Sequence, residues 1–365
     1  MQKASQKRSS TAGRLVHLVA GCWANGGGLS ELVAATALAQ AQLGKAVTLL
    51  FLDGAAEHPL VAACRAAGVH VRIFKRSHPY VLYFSWEMMG QLDAFLADAA
   101  HLYLYSCWTF PIWWGAFRAR RLGLSYSVAP QGCLDPVRRA YGKVRKRLAW
   151  WCFDRFLLTH AAWLHATAEN EAGWMRAALK TRCPPIRVVP NGVECSVFDA
   201  VPAQQRAKMV LYLGRLHPLK GLDLLLDAWQ RARIPEGWEL VIAGPQEGVS
   251  LPTLPYVRYL PPQYGKDKVR LLKQASLFIL PTRTENFGIV VAEALWCRTP
   301  VICTQGAPWE VLGRYWVEIS AEAIANAMEH LINLSPEARE KDFRALFDAA
   351  PKTYNWLAIA DKLLP

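Results

Sequence analysis

Four charged side chains in this 365-residue chain stand where their types and spacing could do chemistry: Glu285 and Glu293 in one stretch, Arg215 and Lys220 in another. Between the two carboxylates, the backbone N–H groups of Asn286, Phe287 and Gly288 fall at what reads as a helix start, where unpaired donors and the helix dipole receive an anion. The spacing from Glu285 to Glu293 makes about 2.2 helical turns. Glu285 in the loop and Glu293 two turns into the helix would then face one ligand from different heights. Arg215 offers a rigid fork and Lys220 a mobile ammonium, both suited to a diphosphate whose charge grows as a bond to it breaks. This chemistry is the cradling of a phosphorylated sugar. The plain alternative is two solvated glutamates and two unlinked surface cations.

Elements must hold these groups in place. Residues 277–280 form an apolar run of strand length, Pro281 stops it, and Gly288 opens an apolar helical segment reaching about Cys297. Residues 209–213 read as a strand and 214–221 as the loop after it. Leu222, Leu225, Leu226 and Trp229 then share one helix face. A strand at 239–243 leaves through Gly244, where a nucleotide base could rest on backbone. The start of the chain repeats the plan: strand 15–19, a glycine loop at Gly26 and Gly27, a helix with Leu29, Leu32, Val33 and Thr36 on one face, and strand 46–52. This is the opening of a doubly wound α/β fold, although the loop departs from Gly-x-Gly-x-x-Gly. Further strands are expected at 69–74, 102–105, 257–260 and 300–303. Helices are expected at 264–274, 321–334 and 353–364, with another after Thr167 as N-cap.

Three features of the first half bear on partners. The block around Trp108, Trp113 and Trp114 is either packing or a platform for a sugar or lipid acceptor. Gln131 and Gly132 form a tight turn at a strand end, where ligands of parallel sheets sit. Arg138, Arg139, Lys143, Arg145, Lys146 and Arg147, followed by aromatic bulk, suit an anionic lipid surface; a solvated face is the alternative. No reader motif accompanies the charge, so nucleic acid is not expected. A net charge of +13 calls for an anionic partner. The 53% hydrophobic and 19% charged content excludes disorder, and no apolar run reaches the ~18–20 residues of a membrane span. The stretch 148–164 reads as a buried or interfacial helix. Nine scattered cysteines without Cys-x-x-Cys point to reduced thiols and give no zinc framework.

The run Gly214-Arg215-Leu216 to Lys220-Gly221, taken with Glu285, Phe287-Gly288 and Glu293, resembles the diphosphate and donor sites of the retaining GT-B glycosyltransferases of family 4, or group 1. The resemblance covers roughly residues 14–335. It implies two Rossmann-like domains facing across a cleft. Residues 1–13 would be a flexible tail, 14–198 an acceptor-binding domain, 199–208 a linker, 209–350 a nucleotide-sugar-binding domain, and 351–365 a helix able to pack back on the first domain. It also implies that Glu285 touches hydroxyls of the transferred sugar, Glu293 the ribose, and Gly26 and Gly27 the donor phosphates and acceptor. Ser106 and Gln131 depart from the basic residues usual in the family. The expected activity is retaining, metal-independent transfer of a sugar from a nucleoside diphosphate, UDP preferred, with no other cofactor. The expected acceptor is a lipid-linked or lipopolysaccharide glycan at the cytoplasmic face of the membrane. A nucleotide-sugar epimerase or hydrolase, and a silent nucleotide-sugar-binding protein, are the competing readings.

Overall fold

Short runs of aliphatic residues buried on both faces, such as Val47–Leu52 and Ala275–Leu280, belong to strands covered by helices on both sides. The computed structural model describes residues 13–21, 28–52, 59–78, 80–140, 143–193, 201–249 and 251–365. It divides into two compact units, Met1–Pro190 with Ile359–Pro365, and Asn191–Ala358. The first holds a parallel sheet of β1 (Arg14–Val19), β2 (Val47–Leu52), β3 (His70–Phe74), β4 (Ala99–Tyr105), β5 (Tyr126–Ala129), β6 (Trp163–Ala166) and β7 (Ile186–Val188), in the order 3-2-1-4-5-6-7. The second holds β8 (Ala207–Leu213), β9 (Glu239–Ala243), β10 (Val257–Leu260), β11 (Ala275–Leu280), β12 (Val301–Thr304) and β13 (Trp316–Val317), in the order 10-9-8-11-12-13. The chain is thus α/β with two Rossmann-like domains, as its sequence leads one to expect. In each sheet the order reverses beside the first strand, between β1 and β4 and between β8 and β11. The carboxyl ends of the strands at such a point form the crevice where ligands bind.

The first sheet has an unusual face. Side chains two apart point the same way, and His101, Tyr103 and Tyr105 of β4 line up with His17 of β1 and with Trp163 and His165 of β6. His17 stacks on Tyr103 with ring centres 4.5 Å apart and hydrogen-bonds Tyr105 Oη and Gln40 Oε1, each at 2.8 Å. The last residues of the chain close over this face. Tyr103 Oη donates to Leu363 O at 2.9 Å and Arg187 Nη1 to Leu364 O at 2.6 Å, while Ile359, Ala360 and Leu363 are buried.

Several elements differ from expectation for local reasons. β8 begins at Ala207, inside the stretch expected to be linker. The buried or interfacial helix expected over 148–164 ends at Thr159 and carries a π-helical turn, Trp150–Asp154, between Lys143–Ala149 and Arg155–Thr159, before the chain enters β6. The π turn carries Asp154 inward, where its Oδ1 accepts from Trp108 N and Trp113 Nε1. Thr167 is not an N-cap: helix Glu169–Leu179 starts after Ala168, and Thr167 donates both its N–H and Oγ1 to the buried carboxylate of Glu171. Helix Pro336–Thr353 was not legible, and it runs through residue 350, the expected domain end. Its polar composition and Pro351 mask it; Pro351 lies in the last turn, so the one i−4 hydrogen bond its ring removes is lost at the end of the helix and not in its middle.

Candidate donor site of the second unit

The loop after β8 and the loop after β11 meet at the switch point because glycines let backbone lie on backbone. Gly221 is left-handed (φ 69°), and a Cβ there would fall on Pro281 O. A Cβ at Gly244 would fall on Gly214 O, and one at Gly306 on Thr282 O. Hydrogen bonds lock the same seams. Leu216 N donates to Pro245 O (2.8 Å), Arg283 N to Leu219 O (2.9 Å), and Glu285 N to Gly306 O (2.7 Å).

This stitching brings the predicted charges together. Lys220 forms an ion pair with Glu285 although 65 positions separate them, and both side chains are largely buried. Arg215 stands at the rim, 55% exposed, with its Nη1 3.0 Å from Glu247 Oε2. Its carbonyl accepts from Tyr212 Oη at 2.8 Å. Tyr212 is buried, and desolvation, then the nearby Glu285 carboxylate, push its hydroxyl well above the ordinary phenol range. Gly288 is the left-handed N-cap of helix Ile289–Trp296. Phe287 packs beside Trp309 and Tyr354, and its carbonyl accepts from Trp309 Nε1 at 2.5 Å.

Two expectations need correction here. The helix begins only at Ile289, so Glu293 stands just over one turn in rather than two. Gly288 spends its left-handed φ on turning the chain, which delays the helix. The N–H of Asn286 is not open to a ligand: it donates to Glu285 Oε1 at 3.2 Å. One participant was missed. Lys268, on helix Gly265–Gln274, donates to the buried Glu293 at 2.5 Å. Only the basic character of that helix hinted at it, because the pairing depends on how two helices dock.

The expected acceptor residues gather at the carboxyl ends of β4 and β5 in the first unit. Ser106, Trp108 and Gln131 all take positive φ (80°, 61° and 53°), as does Gly132 (76°), a costly conformation for side-chain-bearing residues. Gly132 N donates to Glu171 Oε1 at 2.6 Å, which ties this turn to the start of helix Glu169–Leu179. The ring of Trp108 is covered: Lys146 Nζ sits 4.3 Å from its centre and donates to Arg138 O at 2.6 Å. Lys146 therefore leaves the expected membrane-facing set, because the aromatic face and a carbonyl draw its ammonium inward, and burial lowers its pKa. Arg139 stacks on Trp150 at 5.0 Å and Arg138 approaches Asp135 at 3.8 Å, while Arg147 is exposed. Lys143 and Arg145 lie on helix Lys143–Ala149, but their side chains are outside the described set. Gly26 and Gly27 also lie outside the described residues. Around the basic residues, Leu148, Trp151, Phe153 and Phe156 are exposed. No helix among the described residues is long and apolar enough to cross a membrane.

Residues 27–192 match the family of glycosyl transferase 4-like domains, and residues 207–334 match glycosyl transferases group 1. The D-inositol 3-phosphate glycosyltransferase of Mycobacterium tuberculosis is 31% identical over 211 residues, 49% of this chain and 42% of that protein. The match thus spans less than half the length of the curated relative. Anabaena HepE, solved in complex with UDP and glucose, superposes with a TM-score of 0.73 at 15% identity, covering 96% of this chain and 98% of that one. WaaG, a glycosyltransferase involved in lipopolysaccharide biosynthesis, gives 0.68 at 16% identity, covering 95% and 98%. The chain therefore carries a 4-like and a group 1 glycosyltransferase domain, and it shares the GT-B fold of these structures, with two Rossmann-like domains.

Proposed function

We propose that the protein moves a sugar from a nucleoside diphosphate, UDP preferred, to a lipid-linked or lipopolysaccharide glycan, with retention of anomeric configuration. The observation that carries this reading is the Lys220–Glu285 pair at the switch point of the second unit. A cation for phosphate and a carboxylate for sugar hydroxyls stand side by side there, each holding the other until a donor offers both partners at once. Glu293 and Lys268 would receive the ribose, and Gly244 gives the base a backbone floor. The relatives support the substrate class: one is a D-inositol 3-phosphate glycosyltransferase, one was solved with UDP and glucose, and one is involved in lipopolysaccharide biosynthesis.

On this reading Arg215 and Lys220, with the start of helix Ile289–Trp296, take up charge as the diphosphate leaves, without recourse to a bound cation. The departing phosphate oxygen then helps remove the proton of the acceptor hydroxyl attacking from the same face. The exposed Leu148, Trp151, Phe153 and Phe156 among arginines would rest on the inner, anionic face of the membrane, near a lipid-linked acceptor. The test is a thermal-shift screen of UDP-, GDP- and ADP-sugars, followed by product analysis with the stabilising donor and lipid-linked glycans. A glycan lengthened by one sugar is expected. Free or isomerised sugar with no adduct would overturn the transferase reading in favour of a hydrolase or epimerase, and tight donor binding with no turnover would leave only a binding protein.

A further inference from the structure

A second charged cavity lies in the same unit, at the other end of its sheet. It measures about 150 Å³ and is lined by Arg206, Arg298, Arg339, Glu340, Ser276 and Pro336, among others. Arg206 immediately precedes β8, Ser276 is near the start of β11, and the donor loops leave the far ends of those strands. Six residues of strand span about 20 Å, so the two sites are separate.

Three guanidiniums line this cavity against one carboxylate. Arg298 already holds Glu340 at 2.8 Å and Asp348 at 3.2 Å. Arg206 is fixed by donating to Ala275 O, Thr299 Oγ1 and Cys297 O, all neutral acceptors. Arg339 is 6% exposed and gives one terminal nitrogen to Leu331 O and Ile332 O. Its guanidinium also lies over the Trp238 ring, 5.3 Å from the ring centre, while its Nε and other terminal nitrogen have no hydrogen-bonded partner among the described residues. The group also sits in the first turn of helix Pro336–Thr353, where the helix dipole adds positive potential. Burying cations without matching anions is costly, and its trace is visible: burial, with the like charges of Arg298 and Arg339, lowers Arg206 to about 10. Capping of carbonyls explains why Arg206 is there, but not why three guanidiniums converge on open space.

We infer that this cavity binds the phosphate group of a small anion, with Arg206, Arg298 and Arg339 as its ligands. At roughly 30 Å³ per water, the space holds a phosphate and a few attached atoms, not a nucleotide. The arrangement matches the planar, forked recognition of phosphate by arginine. Arg206 also holds Cys297 O, which directly follows helix Ile289–Trp296, so an anion here would steady the far end of the helix that begins at Gly288.

The test uses the full chain in phosphate-free chloride buffer, with Arg215→Ala and Lys220→Ala introduced together to remove the diphosphate contacts proposed above. Calorimetric titration with inorganic phosphate should show one saturable site per chain. Adding Arg298→Gln or Arg339→Lys, each checked for an unchanged circular dichroism spectrum and melting curve, should weaken it at least tenfold. A parallel titration with a hexose 6-phosphate identifies the source: tighter binding assigns a phosphorylated metabolite, equal binding the free ion. A flat titration of the double variant, or undiminished affinity in the folded Arg298→Gln and Arg339→Lys chains, overturns the inference. Either result leaves the donor-site reading untouched.

Discussion

Lys220 and Glu285 illustrate how one residue pair can be both structural and reactive. Their ion pair is shielded from solvent, and screening of such a pair is weak, so removing one partner leaves the other buried and uncompensated. On the proposed reading Lys220 meets the leaving diphosphate, and Lys220→Ala should lower turnover by about 10²–10³-fold, as loss of one oxyanion-stabilising donor does. Steady-state kinetics on a variant whose circular dichroism is unchanged would check this; near-normal turnover would remove Lys220 from the chemistry. The residue scale is also where the sequence is most informative. Arg215, Lys220, Glu285 and Glu293 were identifiable because the first three lie in the loops that follow strands and Glu293 is the one acid inside an apolar helix. Lys268, and the contact of Lys146 with Trp108, were not, because the partners Glu293 and Trp108 are chosen by the docking of separate elements.

At the scale of elements, the two loops of the donor site depend on backbone contact, and Gly221 is the hinge of that contact. Gly221→Ala adds a Cβ against Pro281 O in a left-handed conformation. We expect a loss of about 1–3 kcal/mol, read as a lower urea midpoint, with donor affinity falling as the β8 and β11 loops separate. A midpoint unchanged within error would show that the loops can part without cost. The segment Lys143–Thr159 carries a second expectation. Trp151 is 65% exposed, and burying a large apolar side chain is worth about 1.5–3 kcal/mol. Trp151→Ser should weaken binding to anionic vesicles on the order of tenfold, measured by sedimentation at low salt. If the parent chain does not bind such vesicles at all, membrane docking is excluded. These elements were only half legible. Periodicity located helix 222–231 and strands β8, β9 and β11, whereas the π turn and helix Pro336–Thr353 gave no apolar stripe to read, the one short and aromatic on all sides, the other highly polar.

The whole molecule stores a pH response in the aromatic face of its first sheet. Burial lowers His17, His101 and His165 to about 4, against about 6.5 when unfolded. Between those values the unfolded chain binds more protons, so stability falls as pH drops from about 6.5 towards 4, by at most on the order of 3 kcal/mol per histidine. Asp154 opposes this in part, since burial raises it to about 6 and its protonation favours the folded state below that pH. Urea unfolding at pH 7.5 and pH 5 should therefore show a clear net loss at the lower value; equal midpoints would contradict it. The same face gives the final residues a defined role. Deleting 359–365 should lower the unfolding transition of the first unit and leave that of the second in place, as separate tryptic or calorimetric transitions would report. That placement also fixes an order of events in synthesis. The unit that begins first is finished last, because the segment whose carbonyls accept from Tyr103 and Arg187 is made only after every residue of the second unit. While the ribosome is still translating the second unit, Tyr103 and Arg187 lack the carbonyls of Leu363 and Leu364, so the packing of the first sheet is completed only when residues 359–365 emerge.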